Sequence, residues 1–204
     1  MKTCLRVLML WLSGAITLTA QAVDEARTPA VEAAAQAAGA APVTPAQLAY
    51  FVVSGPLPAP PQDVTDLKFR EFVRTPVGPN GTELTGRLIG LNGKRVRLVG
   101  YMARQTPPTP GMLVLSPLPV DLGDEDESLS DDLPVTATFV HLEAGQAGVA
   151  LRYLPGLLQF TGTLNVGLAE EADGHVSAFR LRLDHADSQR LAELGRAIIT
   201  DPGR

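Results

Sequence analysis

The chain has 204 residues, of which 45% are hydrophobic, and a formal net charge of −5 at pH 7. This length accommodates one domain of ordinary size with tails. Cys4 is the only cysteine, so a chain that loses its N-terminus has no disulfide, thiolate metal site or cysteine nucleophile. The acidic balance disfavours nucleic acid as a partner, because no basic patch is concentrated enough to overcome it.

The N-terminus has the pattern of a secretory signal peptide. Lys2 and Arg6 precede the mostly apolar run 7–18, and the small residues of Ala20-Gln21-Ala22 follow it. The run is too short and too interrupted to span a bilayer comfortably, so an uncleaved membrane helix is the less favoured alternative. We predict cleavage after Ala22 and a periplasmic or secreted protein with no transmembrane segment in the mature chain. Losing Lys2 and Arg6 changes the charge of −5 to −7.

The mature chain divides into three parts. Residues 23–62 are rich in alanine and proline and are predicted to be a flexible tether, because a helix over 30–38 would be too short to be stable alone. The apolar run 48–53 within this segment is a candidate extra strand. Residues 187–204 are predicted to form a C-terminal helix and tail, since Leu191, Leu194 and Ile198 recur at helical spacing.

Residues 63–186 have a β pattern. "GRLIGL" and "KRVRLVGYM" flank Asn92-Gly93, a strong hairpin signal, and three further strands are predicted in 111–118, 134–142 and 157–168. In "HVSAFRLRL" the residues Phe179, Leu181 and Leu183 alternate with polar ones, the period of a half-buried strand. Glycines inside strands suggest bulges or sharp bends. The predicted fold class is therefore mainly β: a small five-stranded OB-like barrel with a C-terminal helix.

Several segments resemble a known family. "LNGKRVRLVGYM" at 91–102, "FTGTLNVG" at 160–167 and "DGHVSAFRLRLD" at 173–184 are similar to an uncharacterised family of exported bacterial proteins, described as a domain of unknown function with a single OB-like β-barrel. The resemblance covers about residues 63–184. It implies export and a barrel fold, and it brings no catalytic residues.

Two pairs of arginines are candidate ligand- or partner-binding residues. Arg95 and Arg97 share one face of their strand, Arg180 and Arg182 share one face of theirs, and Tyr101 is available for stacking. If the sheet brings these faces together, they form an anion-binding patch. The favoured alternative is that the arginines are outward-facing residues that limit aggregation and pair with the protein's own acidic loop.

The acidic loop 121–132 is the most conspicuous chemical feature. Its carboxylates could ligate a hard cation such as calcium, with Asp124, Asp126, Asp131 and Asp132 as weak candidates. Counted from Asp124, however, the sixth and twelfth positions are Leu129 and Val135, where an EF-hand loop needs glycine and glutamate. We therefore expect no specific metal site and interpret the run as a solvated loop.

The histidines and the catalytic motifs give little support for an enzyme. His175 and His185 lie some ten residues apart along one strand, too far to share a metal, and all three histidines, including His141, are expected to be lone structural residues. The sequence has no nucleophile elbow and no phosphate-binding loop. We therefore expect a non-enzymatic exported binding or accessory protein of the cell envelope, without a cofactor, that engages a protein partner or small anionic ligand. The alternative is a periplasmic cation-binding protein that uses loop 121–132.

Overall fold

A computed structural model describes residues 48–79, 81–122 and 133–199. In chain order the elements are β1 (Thr65–Leu67), a 3-10 turn (Phe69–Glu71), α1 (Gly86–Gly90), β2 (Arg95–Met102), β3 (Arg104–Gln105), β4 (Met112–Ser116), β5 (Asp121–Leu122), β6 (Thr138–His141), a 3-10 turn (Ala144–Gln146), β7 (Leu157–Glu170), β8 (Val176–Leu183) and α2 (His185–Ile199). The fold is mainly β with a C-terminal helix, as predicted.

Six strands form one sheet in the order β1-β2-β4-β6-β8-β7, and β7 also pairs with β2. The pairings of the five longer strands therefore return to their starting strand. β1 pairs with β2 and β6 with β8 in parallel, whereas the other pairs of this sheet are antiparallel. The two-residue strands β3 and β5 make a separate small sheet.

The core contains side chains from every long strand and from the segment before β1. Phe51, Phe72, Phe160 and Phe179 are fully buried. Their rings pack in pairs, with centroids 4.9 Å apart for Phe72 and Phe179 and 5.3 Å apart for Phe51 and Phe160. On β8 the odd-numbered residues 177–183 are buried and alternate with more exposed ones, which confirms the predicted half-buried strand.

Two glycines allow the strands to approach closely. A Cβ on Gly162 of β7 would lie 2.2 Å from the carbonyl oxygen of Arg182. One on Gly100 of β2 would lie 2.7 Å from the carbonyl oxygen of Ser116. The bulge in β7 lies between Val166 and Ala169 instead, so both glycines provide space for a neighbouring backbone.

Two predictions about local structure are corrected. "GRLIGL" contains helix α1 because Thr85 caps it, its Oγ1 accepting the backbone N–H of Leu88 at 3.1 Å. The predicted hairpin at Asn92-Gly93 is therefore a turn between a helix and a strand. The tether cannot extend to residue 62, because Phe51 belongs to the core and the backbone N–H of Gln159 donates to its carbonyl at 2.8 Å.

Helix α2 begins at His185, two residues earlier than predicted, and packs through the buried Leu191 and Leu194. The first turn is fixed by Asp187, which accepts hydrogen bonds from the Tyr50 hydroxyl at 2.8 Å and the Thr161 N–H at 2.9 Å. Asp187 therefore ties α2 to β7 and to the segment before β1. Within the described part of the chain, no helix is long and apolar enough to cross a membrane.

Candidate functional site

Two adjoining clefts share a wall formed by the turn between β7 and β8. The first has a volume of about 570 Å³ and lies between that turn, the start of β8 and the segment that leads into β6, with Val135, Phe139 and Val176 among its lining residues. The second, of about 350 Å³, lies between the same turn and the proline-rich loop 106–110. Asp173 and His175 line both clefts. These two residues are therefore the polar boundary between them.

Asp173 and His175 form a carboxylate–imidazole pair. His175 Nδ1 lies 3.0 Å from Asp173 Oδ1, and the backbone N–H of His175 donates to the same oxygen at 3.1 Å. The Thr109 hydroxyl lies 3.4 Å from Asp173 Oδ2 and 3.4 Å from Gln105 Nε2. The carboxylate thus lies between the hydroxyl and the imidazole, and it links loop 106–110 to the β7–β8 turn.

A buried polar network supports this turn from behind. Glu171 is buried, its carboxylate accepts a hydrogen bond from the Ser177 hydroxyl, and its Oε2 lies 3.2 Å from Nε2 of His141. Arg180 Nη1 donates to the Ser177 hydroxyl oxygen at 3.1 Å. Across the turn, the Glu171 N–H donates to the His175 carbonyl at 2.8 Å. The side chains that hold the cleft wall in this network therefore do not line the clefts themselves.

The first cleft exists because β6 and β8 diverge. These parallel strands pair only from Phe139–Arg180 to His141–Arg182. At the other end of β8, Val176 and Ala178 face the segment 133–137 across the cleft instead of a paired strand. Val135 and Val176 are 62% and 65% exposed. Two exposed valines on opposite sides of one concavity are an apolar rim of the kind that binding sites present.

The predicted arginine set is dispersed. Arg95 and Arg182 lie in one register row on either side of Thr163, about 10 Å apart by strand spacing. Arg97 does not face outward: it is buried, and its guanidinium is bound by Asp66 and the Pro58 carbonyl. Arg180 is bonded to Ser177. The outward-facing interpretation is therefore corrected for Arg97, because β1 covers that part of β2.

The remaining aromatic and acidic candidates lie elsewhere. Tyr101 is six residues along β2 from Arg95, a distance of about 20 Å. Asp121 pairs with Arg104 at 3.1 Å, so one end of the acidic loop does have an arginine partner. The weak metal candidates Asp124, Asp126, Asp131 and Asp132 lie outside the described residues.

Each histidine contacts a different carboxylate. His141 lies beside Glu171, His175 beside Asp173 and His185 beside Glu143. In the residues that the structure describes, no group of three or more histidine, cysteine, aspartate or glutamate side chains is arranged to hold a metal. His175 and His185 therefore have separate carboxylate partners.

Asp173, Thr109 and the cleft itself were missed by the sequence analysis. Asp173-Gly174 is a turn signal directly before a strand, and it marks the β7–β8 connection. Val176 is a second local signal, because it is an apolar residue on the face of the strand opposite Phe179 and Leu181. Nothing local connects this turn with Thr109, because 64 residues separate Thr109 from Asp173.

Comparisons with known proteins give one distant likeness. No family model matches the chain, and no curated protein matches it. Among solved structures, a DUF3299 family protein from Pseudomonas aeruginosa PAO1 is similar with a TM-score of 0.36 and 13% sequence identity, over 59% of this chain and 92% of that chain.

Proposed function

We propose that this chain is a non-enzymatic exported binding protein of the bacterial envelope, built on an OB-like barrel. The observation that carries the proposal is the pair of clefts that meet at Asp173 and His175. Their volumes are those of sites for small ligands, and their walls are mostly apolar with a few convergent polar groups. A protein partner that inserts one side chain would use the same concavity.

Strand order supports the OB-like part of the proposal. Numbered along the chain, the five longer strands pair in the cyclic order 1-2-3-5-4, with the third and fifth parallel. OB barrels bind ligands at the loops between strands 1 and 2 and between strands 4 and 5. Here the corresponding loops contain Thr109 and Asp173, which line the second cleft.

The polar groups of the cleft favour binding over covalent catalysis. In a hydroxyl–imidazole–carboxylate triad, the imidazole takes the proton of the hydroxyl and the carboxylate lies behind the imidazole. Thr109 instead has Asp173 between its hydroxyl and the His175 imidazole. We therefore assign these three side chains to ligand positioning.

Native mass spectrometry tests the binding function. We expect protein released gently from the cells that make it to carry a ligand or partner mass, and Val176→Asp to reduce that occupancy at least fivefold. Val77→Asp is the matched control, since Val77 is 61% exposed and does not line either cleft. Bare protein in every preparation, or equal loss in both variants, would contradict binding at the cleft.

Cell fractionation tests export separately. We expect the mature chain to begin at Val23 in the periplasm or medium. An intact N-terminus in the cytosol would contradict the proposed location without bearing on the cleft.

A further inference from the structure

The described residues that line the clefts include a carboxylate but no lysine or arginine. Among the described residues that line them, Asp173 is the only carboxylate, and none is a lysine or arginine. An anionic ligand would therefore meet a carboxylate and find no guanidinium or ammonium partner. The charge of the walls is complementary to a cation.

Asp173 has one oxygen that remains open to a donor. Oδ1 already receives the His175 backbone N–H at 3.1 Å and has His175 Nδ1 at 3.0 Å. Among the described residues, the one donor at Oδ2 is the Thr109 hydroxyl, at 3.4 Å. A carboxylate accepts about four hydrogen bonds, and the side chain is 14% exposed. A ligand N–H can therefore reach Oδ2 in a mostly desolvated position, where a charge-assisted hydrogen bond is strong.

The apolar part of a ligand has a wall close to that carboxylate. Val135, Phe139 and Val176 line the first cleft together with Asp173. The ring of Phe139 also lies against His175, with centroids 6.0 Å apart. A short hydrocarbon chain that starts at Asp173 therefore extends along apolar surface, and each methylene that it buries adds about 0.8 kcal/mol of favourable transfer free energy.

The sequence between two cleft-lining residues has the same sign of charge. Leu122 lines the second cleft and Leu133 the first. The ten residues between them in the sequence include six aspartates and glutamates and no lysine or arginine. This charge favours the approach of cations and disfavours that of anions.

From these observations we propose that the cleft ligand is a small amphiphilic cation, a protonated amine that binds Asp173 and places a short apolar chain against Val135, Phe139 and Val176. The inference rests on the proposed binding function and gives its ligand class. It replaces the small anion that the arginines suggested with a ligand of opposite charge.

Three probes with the same number of carbon atoms test directly which ligand charge the cleft prefers. The full mature chain, labelled with ¹⁵N, is titrated with n-hexylammonium, n-hexanol and n-hexanoate while amide resonances are followed by NMR. We expect hexylammonium to shift the amides of 173–178 with an affinity at least tenfold above that of hexanoate. Hexanol should lie between them, because it has the apolar chain without the charge.

Matched variants identify the carboxylate. Asp173→Asn should lower the hexylammonium affinity about tenfold, to the level of hexanol, and leave hexanol binding unchanged. Asp121→Asn is the control, because Asp121 is an exposed carboxylate that pairs with Arg104 and does not line either cleft. The comparison of the three probes uses the wild-type chain, so it decides the charge even if Asp173→Asn does not fold.

The outcomes separate the two proposals. Equal affinities for the three probes would overturn the cationic ligand and leave the binding cleft in place. Tighter binding of hexanoate would show that the sign is wrong. If no probe moves the amides of 173–178 and native mass spectrometry finds only bare protein, both proposals fail.

Discussion

Arg95 and Arg97 lie two residues apart on the same face of β2, yet their surroundings differ. Arg97 is 5% exposed, and its Nε and Nη2 bind the two oxygens of Asp66 at 2.7 and 2.9 Å, with Nη2 also donating to the Pro58 carbonyl at 2.8 Å. Arg95 is 45% exposed and bonds Asp184 through Nε at 3.2 and 3.4 Å. One pair is therefore structural, and the other is a surface contact.

The difference arises from what lies beside the strand. Asp66 of β1 is the register partner of Arg97, whereas β1 begins at Thr65, opposite Val96, and so has no residue paired with Arg95. The covered guanidinium has lost water and needs every donor satisfied. The uncovered one remains largely hydrated, so its ion pair contributes little.

The largest effect is expected for Arg97→Ala, which should lower the free energy of unfolding by about 2–3 kcal/mol. The variant removes a bidentate ion pair and leaves the Pro58 carbonyl without its donor. Urea denaturation followed by circular dichroism measures the loss. Arg97→Lys should recover only part of it, because a single ammonium cannot reproduce the fork. A loss below that of Arg95→Ala would contradict the assignment of Arg97 as structural.

A double-mutant cycle should separate the two pairs. We expect a coupling free energy of about 1–2 kcal/mol between Arg97 and Asp66, since the bonds are short and the guanidinium is desolvated. The same cycle on Arg95 and Asp184 should give no more than about 0.5 kcal/mol. Equal coupling energies would mean that coverage by β1 is not what distinguishes the pairs.

Alternation in the sequence predicted β8, because that strand has one face in the core. β4 is buried on both faces and appears in the sequence as a continuous apolar run. Helical spacing predicted α2. Alternation did not predict the burial of Arg97. A period of two shows on which face of a strand a side chain lies, but it does not show which distant strand pairs with that strand's edge. Alternation also failed at α1, where a capping threonine determines the structure of a short apolar run.

The candidate site was less predictable than the fold. His175 was expected to be a lone structural histidine, and Asp173 was not considered, although the two are only two residues apart. Their role depends on loop 106–110 and on segment 133–137, which reach the β7–β8 turn only in the folded sheet. The arginines were conspicuous in the sequence, but the long-range contacts separated them.

The buried carboxylate of Asp187, in the first turn of α2, should make the stability depend on pH. Burial raises the pKa of Asp187 above 3.8, despite the hydrogen bonds from Thr161 and Tyr50 that lower it. The folded state thus holds this proton more tightly than the unfolded state. The associated stability is fully present below pH 3.8 and is lost as the pH rises through the folded-state pKa.

Asp187→Asn removes this titration. The unfolding free energy of the variant relative to the wild type should therefore rise as the pH increases from 3.8 through the folded-state pKa of Asp187. Urea unfolding at a series of pH values measures the difference. A constant difference across the range would contradict a raised pKa at this position.

The smallest effect is expected for Arg95→Ala, about 0.5 kcal/mol at low salt. Its guanidinium is largely hydrated, and salt should remove what remains of the interaction, because the screening length falls to about 3 Å at 1 M. Most of the loss caused by Arg97→Ala should persist at 1 M sodium chloride, since that side chain is only 5% exposed, although its partner Asp66 is 42% exposed. Measuring both variants at the two salt concentrations therefore separates burial from charge: a loss at Arg97 that is as salt-sensitive as the loss at Arg95 would contradict the burial of Arg97 beside β1 and the Pro58 carbonyl.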